Sequence, residues 1–253
     1  MGSRLIQTIW FYEGTAKIDF ETFVDWHSKH NMLKVAFPVD INSDKATYEV
    51  QFGTLERPTH FNTSWDKAKF EVCAHKYADI SEGNYGVSIL NDCKYGHDIH
   101  DGVIQLSLLK APTDPYKDAD MGEHTFTYSI YPHSGRLDAS DTVKEAYFLN
   151  YPMTALPTSG ECDLIPTSKS LVAIDSNHVI CETIKEEEKG SGTIIRLYEC
   201  KNMSDRITLG IGIEGQKASL VNLMEEEIDE LEIKDRKISL DIKPFEIVTI
   251  KLS

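Results

Sequence analysis

The sequence has no paired cysteines to build on. Its five, Cys73, Cys93, Cys162, Cys181 and Cys200, are odd in number, widely spaced and never arranged as C-x-x-C, which argues against a disulfide framework and a thiolate zinc cage. Reduced, mostly buried thiols in a cytoplasm fit better. Nor is there an apolar run approaching the roughly 20 residues that span a bilayer, or a basic segment leading into an apolar stretch at the N-terminus. On that reading neither a membrane-spanning helix nor a secretory signal of that kind is expected. Basic charge is also short: 26 Lys and Arg stand against 41 Asp and Glu, a net charge of −15. Nucleic-acid binding draws most of its affinity from clustered cations, so a phosphate backbone is not the partner and a neutral or cationic one is expected. The nucleophile elbow G-x-S-x-G, the Walker loop, the dinucleotide turn G-x-G-x-x-G and the zinc motif H-E-x-x-H are read as missing, the third of these mistakenly. No internal repeat or low-complexity tract is found.

What is present is ordinary globular material. Over 253 residues, 41% are hydrophobic and 26% charged, enough for one large or two smaller domains with a sizeable core. The start, Met1-Gly2-Ser3, has the look of an expression scar, and it leads directly into Arg4-Leu5-Ile6-Gln7-Thr8-Ile9-Trp10-Phe11-Tyr12, which reads as a buried strand. A piece of a larger protein is the expectation.

Period-two alternation dominates. In Ile18 to Trp26 it puts Ile18, Phe20, Val24 and Trp26 on one face and Asp19, Glu21 and Asp25 on a wet one. Similar alternation marks Tyr48–Phe52, Ile104–Leu108 and Phe126–Ile130. One segment differs: Ser140 to Asn150 offers a Ser or Asp cap, good helix formers and Pro152 beyond its end, and reads as a short helix. Met153 to Ser170, rich in Pro, Gly, Ser and Thr, reads as a connector, with a domain boundary near residue 165. Short strands follow at 170–174, 179–184, 193–199, 207–211, 238–242 and 247–252, the pattern of a small β-sandwich, and Lys185 to Gly192 reads as a charged hairpin. Met224 to Glu232 stays undecided between helix and strand.

Two groups of residues carry chemistry. His97, Asp98, His100 and Asp101 contain metal-donor types, but their spacing on a loop fixes no common facing, and a hydrated or hydrogen-bonded loop fits better. With 41 carboxylates, no acid and nucleophile pair can be picked by spacing. The second group, Arg57-Pro58-Thr59-His60-Phe61-Asn62-Thr63-Ser64-Trp65-Asp66, sets guanidinium, amide and hydroxyl groups beside an aromatic plane, as sugar sites do. The alternative is a core Trp65 and a surface ion pair at Arg57.

The wording of these segments also resembles a known family. Arg57-Pro58-Thr59-His60, Asn62-Thr63-Ser64-Trp65-Asp66, Phe70-Glu71-Val72-Cys73-Ala74-His75-Lys76, Tyr85-Gly86-Val87 and Leu90-Asn91-Asp92-Cys93-Lys94-Tyr95-Gly96 look like the C-terminal half of a glycoside hydrolase family 38 α-mannosidase. Val24-Asp25-Trp26-His27, Leu33 to Pro38, Leu108 to Pro112, Tyr131-Pro132-His133 and Ile242 to Ile247 add to it, over nearly the whole chain and closest to the bacterial and cytosolic branch.

The resemblance implies an all-β fold. An antiparallel β super-sandwich of the mutarotase-like kind, lacking its opening strands, is expected over 1–165, and a smaller β-sandwich over 166–253, with one short helix. It implies a zinc-dependent retaining hydrolase whose two carboxyl groups stand about 5 to 5.5 Å apart and whose zinc, nucleophile and acid/base lie in an N-terminal barrel that this sequence does not contain. No catalytic residue and no metal ligand is therefore transferred here, and the chain alone is expected to be inactive. What transfers is a loop that closes over the barrel's sugar site, standing at Asn91 to His97. In it Asp92 is expected to accept from sugar hydroxyls, Lys94 to donate and Tyr95 to form a wall, with His97 beside them; Arg57, His60, Asn62 and Trp65 complete the substrate-binding set. The implied partners are the barrel of the same parent chain and a mannose-containing glycan, with no nucleic acid, no membrane and a homo-oligomer left open. A freestanding carbohydrate-binding or scaffolding module is the competing reading, and a mutarotase-like enzyme a third.

Overall fold

The computed structural model describes residues 2–157 and 168–253. Two compact units divide the chain, Met1–Thr154 and Ala155–Ser253. The boundary expected at residues 165 and 166 lies outside the described residues.

The first unit is built from two antiparallel sheets. In the larger, the spatial order is β1 (Arg4–Phe11), β2 (Ile18–Trp26), β11 (Gly122–Ser134), β8 (Tyr85–Asn91), β7 (Tyr77–Ser81), β4 (Lys45–Val50) and β5 (Gly53–Pro58). The smaller runs β3 (Leu33–Pro38), β10 (Val103–Leu109), β9 (Gly96–His100) and β6 (Val72–Cys73). Alternate residues of both sheets form one core, with Val24, Tyr48, Ile80, Val87, Ile89, Phe126 and Tyr128 from the larger and Ile99, Ile104, Leu106 and Leu108 from the smaller. Asp101 and Gly102 both take positive φ (51° and 72°) between β9 and β10, the backbone a tight two-residue hairpin requires.

The opposite face of the larger sheet carries α2 (Thr142–Asn150), the helix expected from its sequence. Its Val143 and Ala146 are buried. So is a polar cluster: Asp79 Oδ2 accepts from Ser88 Oγ at 2.7 Å and stands 2.8 Å from His133 Nε2, while the hydroxyls of Ser88 and Thr142 meet at 2.8 Å. Gly86 makes room for the His133 ring, since a Cβ there would sit 2.3 Å from it.

Three expectations need correction. The strand Arg4–Phe11 is exposed at every residue, because it is the sheet edge, paired on one side only to β2. The wet face of β2 is wet only in part: Asp19 is 6% exposed, its Oδ1 accepting from Ser129 Oγ at 2.6 Å and its Oδ2 from Tyr12 Oη at 2.9 Å. A second helix also exists, α1 (Ser64–Ala68), five residues long and started by a capping box in which Thr63 and Asp66 each bind the other's backbone N–H.

The second unit is a small sandwich. Its three-stranded sheet orders β12 (Val172–Ile174), β15 (Asp205–Ile211) and β18 (Lys237–Ile242), and its five-stranded sheet orders β13 (Val179–Glu186), β14 (Thr193–Glu199), β19 (Ile247–Leu252), β16 (Ala218–Val221) and β17 (Glu227–Leu231). Ile195, Leu197, Ile207, Leu209, Ile238 and Ile250 fill the core between them. The undecided segment is thus a strand at its C-terminal end: β17 pairs with β16, and the apolar face a helix would have offered is split, with Met224 80% and Ile228 63% exposed and Leu231 packed against the core. Among the described residues no helix is long and apolar enough to cross a membrane.

Candidate functional site

The segment expected as one loop from Asn91 to His97 is a four-residue connection, 92–95, between the end of β8 and the start of β9. Its frame is polar and largely buried. Asn91 is 1% exposed; its Nδ2 donates to the His75 carbonyl at 2.8 Å and its Oδ1 accepts from the Lys94 N–H at 2.6 Å. The Asn91 carbonyl accepts from Asn150 Nδ2 at 2.9 Å, which ties the connection to α2. The Tyr95 carbonyl accepts from the Ala74 N–H at 3.1 Å and lies 3.2 Å from His97 Nδ1. A short segment pinned at both ends to strands holds its side chains in place before any ligand arrives.

What this connection presents is mixed in charge. The Asp92 carboxylate is exposed and accepts from the Thr127 N–H at 2.8 Å through Oδ2. Partial burial of its sulfur and the hydrogen-bonded Asp92 carboxylate push the Cys93 thiol up to about 11, so it is not a thiolate at neutral pH. Lys94 lays its ammonium 4.3 Å from the centre of the Phe126 ring, a cation–π contact that fixes its position. Tyr95 is exposed, its ring 5.2 Å from that of His75. Asp92, Lys94 and Tyr95 thus come from one short connection, each against a different neighbour, while His97 does not join them: it is fully buried in β9, with Nε2 unpartnered, and burial lowers its pKa to about 4.

The second expected group is divided by the fold. Arg57 and His60 converge with Tyr48, Asp66, Lys69, Val72 and His100 around a cavity with only about 10 Å³ of room, enough for about one water molecule. Arg57 Nε and His60 Nδ1 are both buried there without a partner. The guanidinium lies 5.8 Å from the Tyr48 ring, and burial followed by the Asp98 carboxylate raises that phenol's pKa. Asn62 and Trp65 stand outside this cavity, exposed, Trp65 at 76%. Asp98 and His100, weighed as metal donors, bond to each other. Among the described residues no three His, Cys, Asp or Glu side chains group as a metal site.

Sequence reasoning missed the frame, above all Asn91, Asn150 and Thr127, because hydrogen bonds across 35 to 59 residues leave no local signal. One glycine pattern was also passed over. Gly210-Ile211-Gly212-Ile213-Glu214-Gly215 has the G-x-G-x-x-G spacing of a dinucleotide-binding turn, yet it leaves β15 and the next element is strand β16, so no helix N-terminus follows to take a phosphate. Gly212 has a packing reason: a Cβ there would fall 1.9 Å from the Ser170 carbonyl oxygen.

Comparison with known proteins gives a consistent result. Residues 1–118 match the family model described as "Glycosyl hydrolases family 38 C-terminal domain", and residues 178–250 match "Glycosyl hydrolases family 38 C-terminal beta sandwich domain". Alpha-mannosidase 2C1 of Homo sapiens is 40% identical over 255 residues, covering 99% of this chain and 24% of that one. Alpha-mannosidase of Saccharomyces cerevisiae is 39% identical over 262 residues, covering 94% of this chain and 24% of that one. The chain thus spans about a quarter of the length of these curated relatives. The crystal structure of an alpha-mannosidase from Enterococcus faecalis V583 superposes with a TM-score of 0.86 at 18% identity, over 98% of this chain and 29% of that chain, which shows a shared fold.

Proposed function

Because the chain belongs to glycosyl hydrolase family 38, we propose that it is the non-catalytic C-terminal portion of a longer α-mannosidase, supplying a rigid sheet and the connection 92–95 to a sugar site completed by an N-terminal catalytic domain. The whole enzyme would hydrolyse terminal α-mannosyl residues of glycans or mannosides with retention and with zinc. The observation that carries the reading is the buried frame of Asn91, which orients Asp92, Lys94 and Tyr95 from one short segment. In this role Asp92 accepts from sugar hydroxyls, Lys94 donates and Tyr95 lies along the ring face, so the connection works by orientation and not by bond cleavage. No zinc donor set is present among the described residues, and no metal step is assigned to them. Thiols at Cys73, Cys93 and Cys181, which form no disulfide among the described residues, support a reducing, cytoplasmic setting.

The full-length parent tests this. Asp92→Ala and Lys94→Ala should each lower kcat/KM for an aryl α-mannoside about tenfold or more, a transition-state loss of about 1.4 kcal/mol, with the thermal midpoint retained. Unchanged kcat/KM in both would remove the connection from the sugar site. The 253-residue chain incubated with zinc and the same substrate should give no turnover.

A further inference from the structure

A second surface of the first unit has the composition of a ligand site. Trp10, Tyr12, Lys17, Asp19, Glu21, Thr127, Phe148, Leu149 and Pro152 line an open cleft of about 370 Å³, inside the roughly 300–1,000 Å³ range of small-molecule sites. Three aromatic side chains stand open beside it, Trp10 at 48%, Tyr12 at 45% and Phe148 at 64% exposure. Two of these rings are fixed in advance. Trp10 Nε1 donates to Glu21 Oε2 at 3.1 Å and Tyr12 Oη donates to Asp19 Oδ2 at 2.9 Å. Prior fixing of this kind lowers the ordering cost of binding.

Lys17 adds an independent observation. It is only 9% exposed, yet its ammonium stands 3.7 Å from Asp19 Oδ1 and 3.5 Å from Glu145 Oε2, long for N–H···O hydrogen bonds of about 2.7–3.2 Å. Lys17 pairs with both carboxylates and lies 5.7 Å from the Tyr12 ring centre, and its three N–H donors leave room for one further acceptor at the cleft wall. The charges select the ligand class. An anion would meet Asp19, Glu21 and nearby Glu145, and a cation would meet Lys17; a neutral molecule with many hydroxyls and an apolar face meets neither objection.

From this geometry we propose that the cleft is a glycan subsite that takes a pyranose unit of a mannose-containing oligosaccharide, its face against the exposed aromatic rings and its hydroxyls on Lys17 and Glu21. The choice of sugar rests on the α-mannosidase reading above. Position supports it: Thr127, which lines the cleft, exchanges two hydrogen bonds with Asp92, and Leu149, also lining it, precedes the Asn150 that holds the Asn91 carbonyl. The cleft therefore adjoins the connection 92–95, and one oligosaccharide can reach both.

The test uses the 253-residue chain with α-linked mannotriose, read by saturation-transfer NMR and by tryptophan fluorescence in a Trp65→Phe background. Binding should be in the millimolar range, should perturb Trp10 fluorescence, and should weaken about tenfold in Trp10→Ala and in Phe148→Ala, both exposed positions whose thermal midpoints should hold. Asp92→Ala, at the adjoining connection, should weaken it less than either aromatic variant does. No binding at millimolar sugar, or wild-type affinity in both aromatic variants, overturns the proposal. Loss in Asp92→Ala with no effect of Trp10→Ala also overturns it while keeping the connection as a sugar site. Cleft binding in a chain whose parent shows unchanged kcat/KM on Asp92→Ala supports the subsite and removes only the role given to the connection.

Discussion

His97 shows how a single residue type can mislead and then become informative. Between aspartates and a second histidine it reads as chemistry, but strand parity turns it into the core beside Leu106, where its Nδ1 meets the Tyr95 carbonyl and Nε2 meets nothing. A charged imidazole would be costly there, so burial lowers its pKa to about 4 from an ordinary 6.5. The unfolded chain then takes up a proton below about pH 6.5 that the folded chain refuses until about pH 4. Stability contributed by this group is complete above pH 6.5, falls as pH drops through that window, and levels off below it. Comparing urea unfolding of the wild type and His97→Gln at pH 7 and pH 4.5 should show a smaller acid-side loss in the variant; equal losses would mean that the imidazole protonates in the fold.

At the scale of elements, the connection between β8 and β9 owes its shape to neighbours far away in sequence. Asn91 satisfies a carbonyl at residue 75 and an amide at residue 94, and Asn150 at the end of α2 satisfies Asn91 in turn. Asn91→Ala leaves those buried groups unpaired and should cost about 1–3 kcal/mol. Hydrogen exchange should locate the damage, with amide protection lost first at 92–95; protection unchanged there would mean that the frame does not set the connection. β1 shows the converse. Its apolar residues read as core because hydropathy cannot tell a central strand from an edge, and its sheet position leaves Leu5, Ile6, Ile9, Trp10 and Phe11 between 43% and 74% exposed.

At the scale of the molecule, two cores stand in two units, and the second closes its own sandwich from eight strands between Val172 and Leu252. Residues 168–253 expressed alone should therefore unfold cooperatively in urea with native-like β circular dichroism. A broad, non-cooperative transition would show that this core is insufficient by itself.

Alternation and turn residues alone determined that this chain is mainly β, where most strands lie, and that Ser140 to Asn150 is helical, because those signals act over a few neighbouring residues. The segments between Arg57 and Lys76 and between Tyr85 and Gly96, with shorter ones along the rest of the chain, carried the family resemblance. Tertiary structure decided what each polar residue is for. It buried His97 and Asp19, put Arg57 and His60 around a water-sized cavity while leaving Trp65 outside, and assembled the Trp10 cleft from strands and a helix more than 100 residues apart. Register sends alternate side chains to opposite faces, and strand order sets which face is covered; pairings across tens of residues fix both, and no local window of sequence contains them.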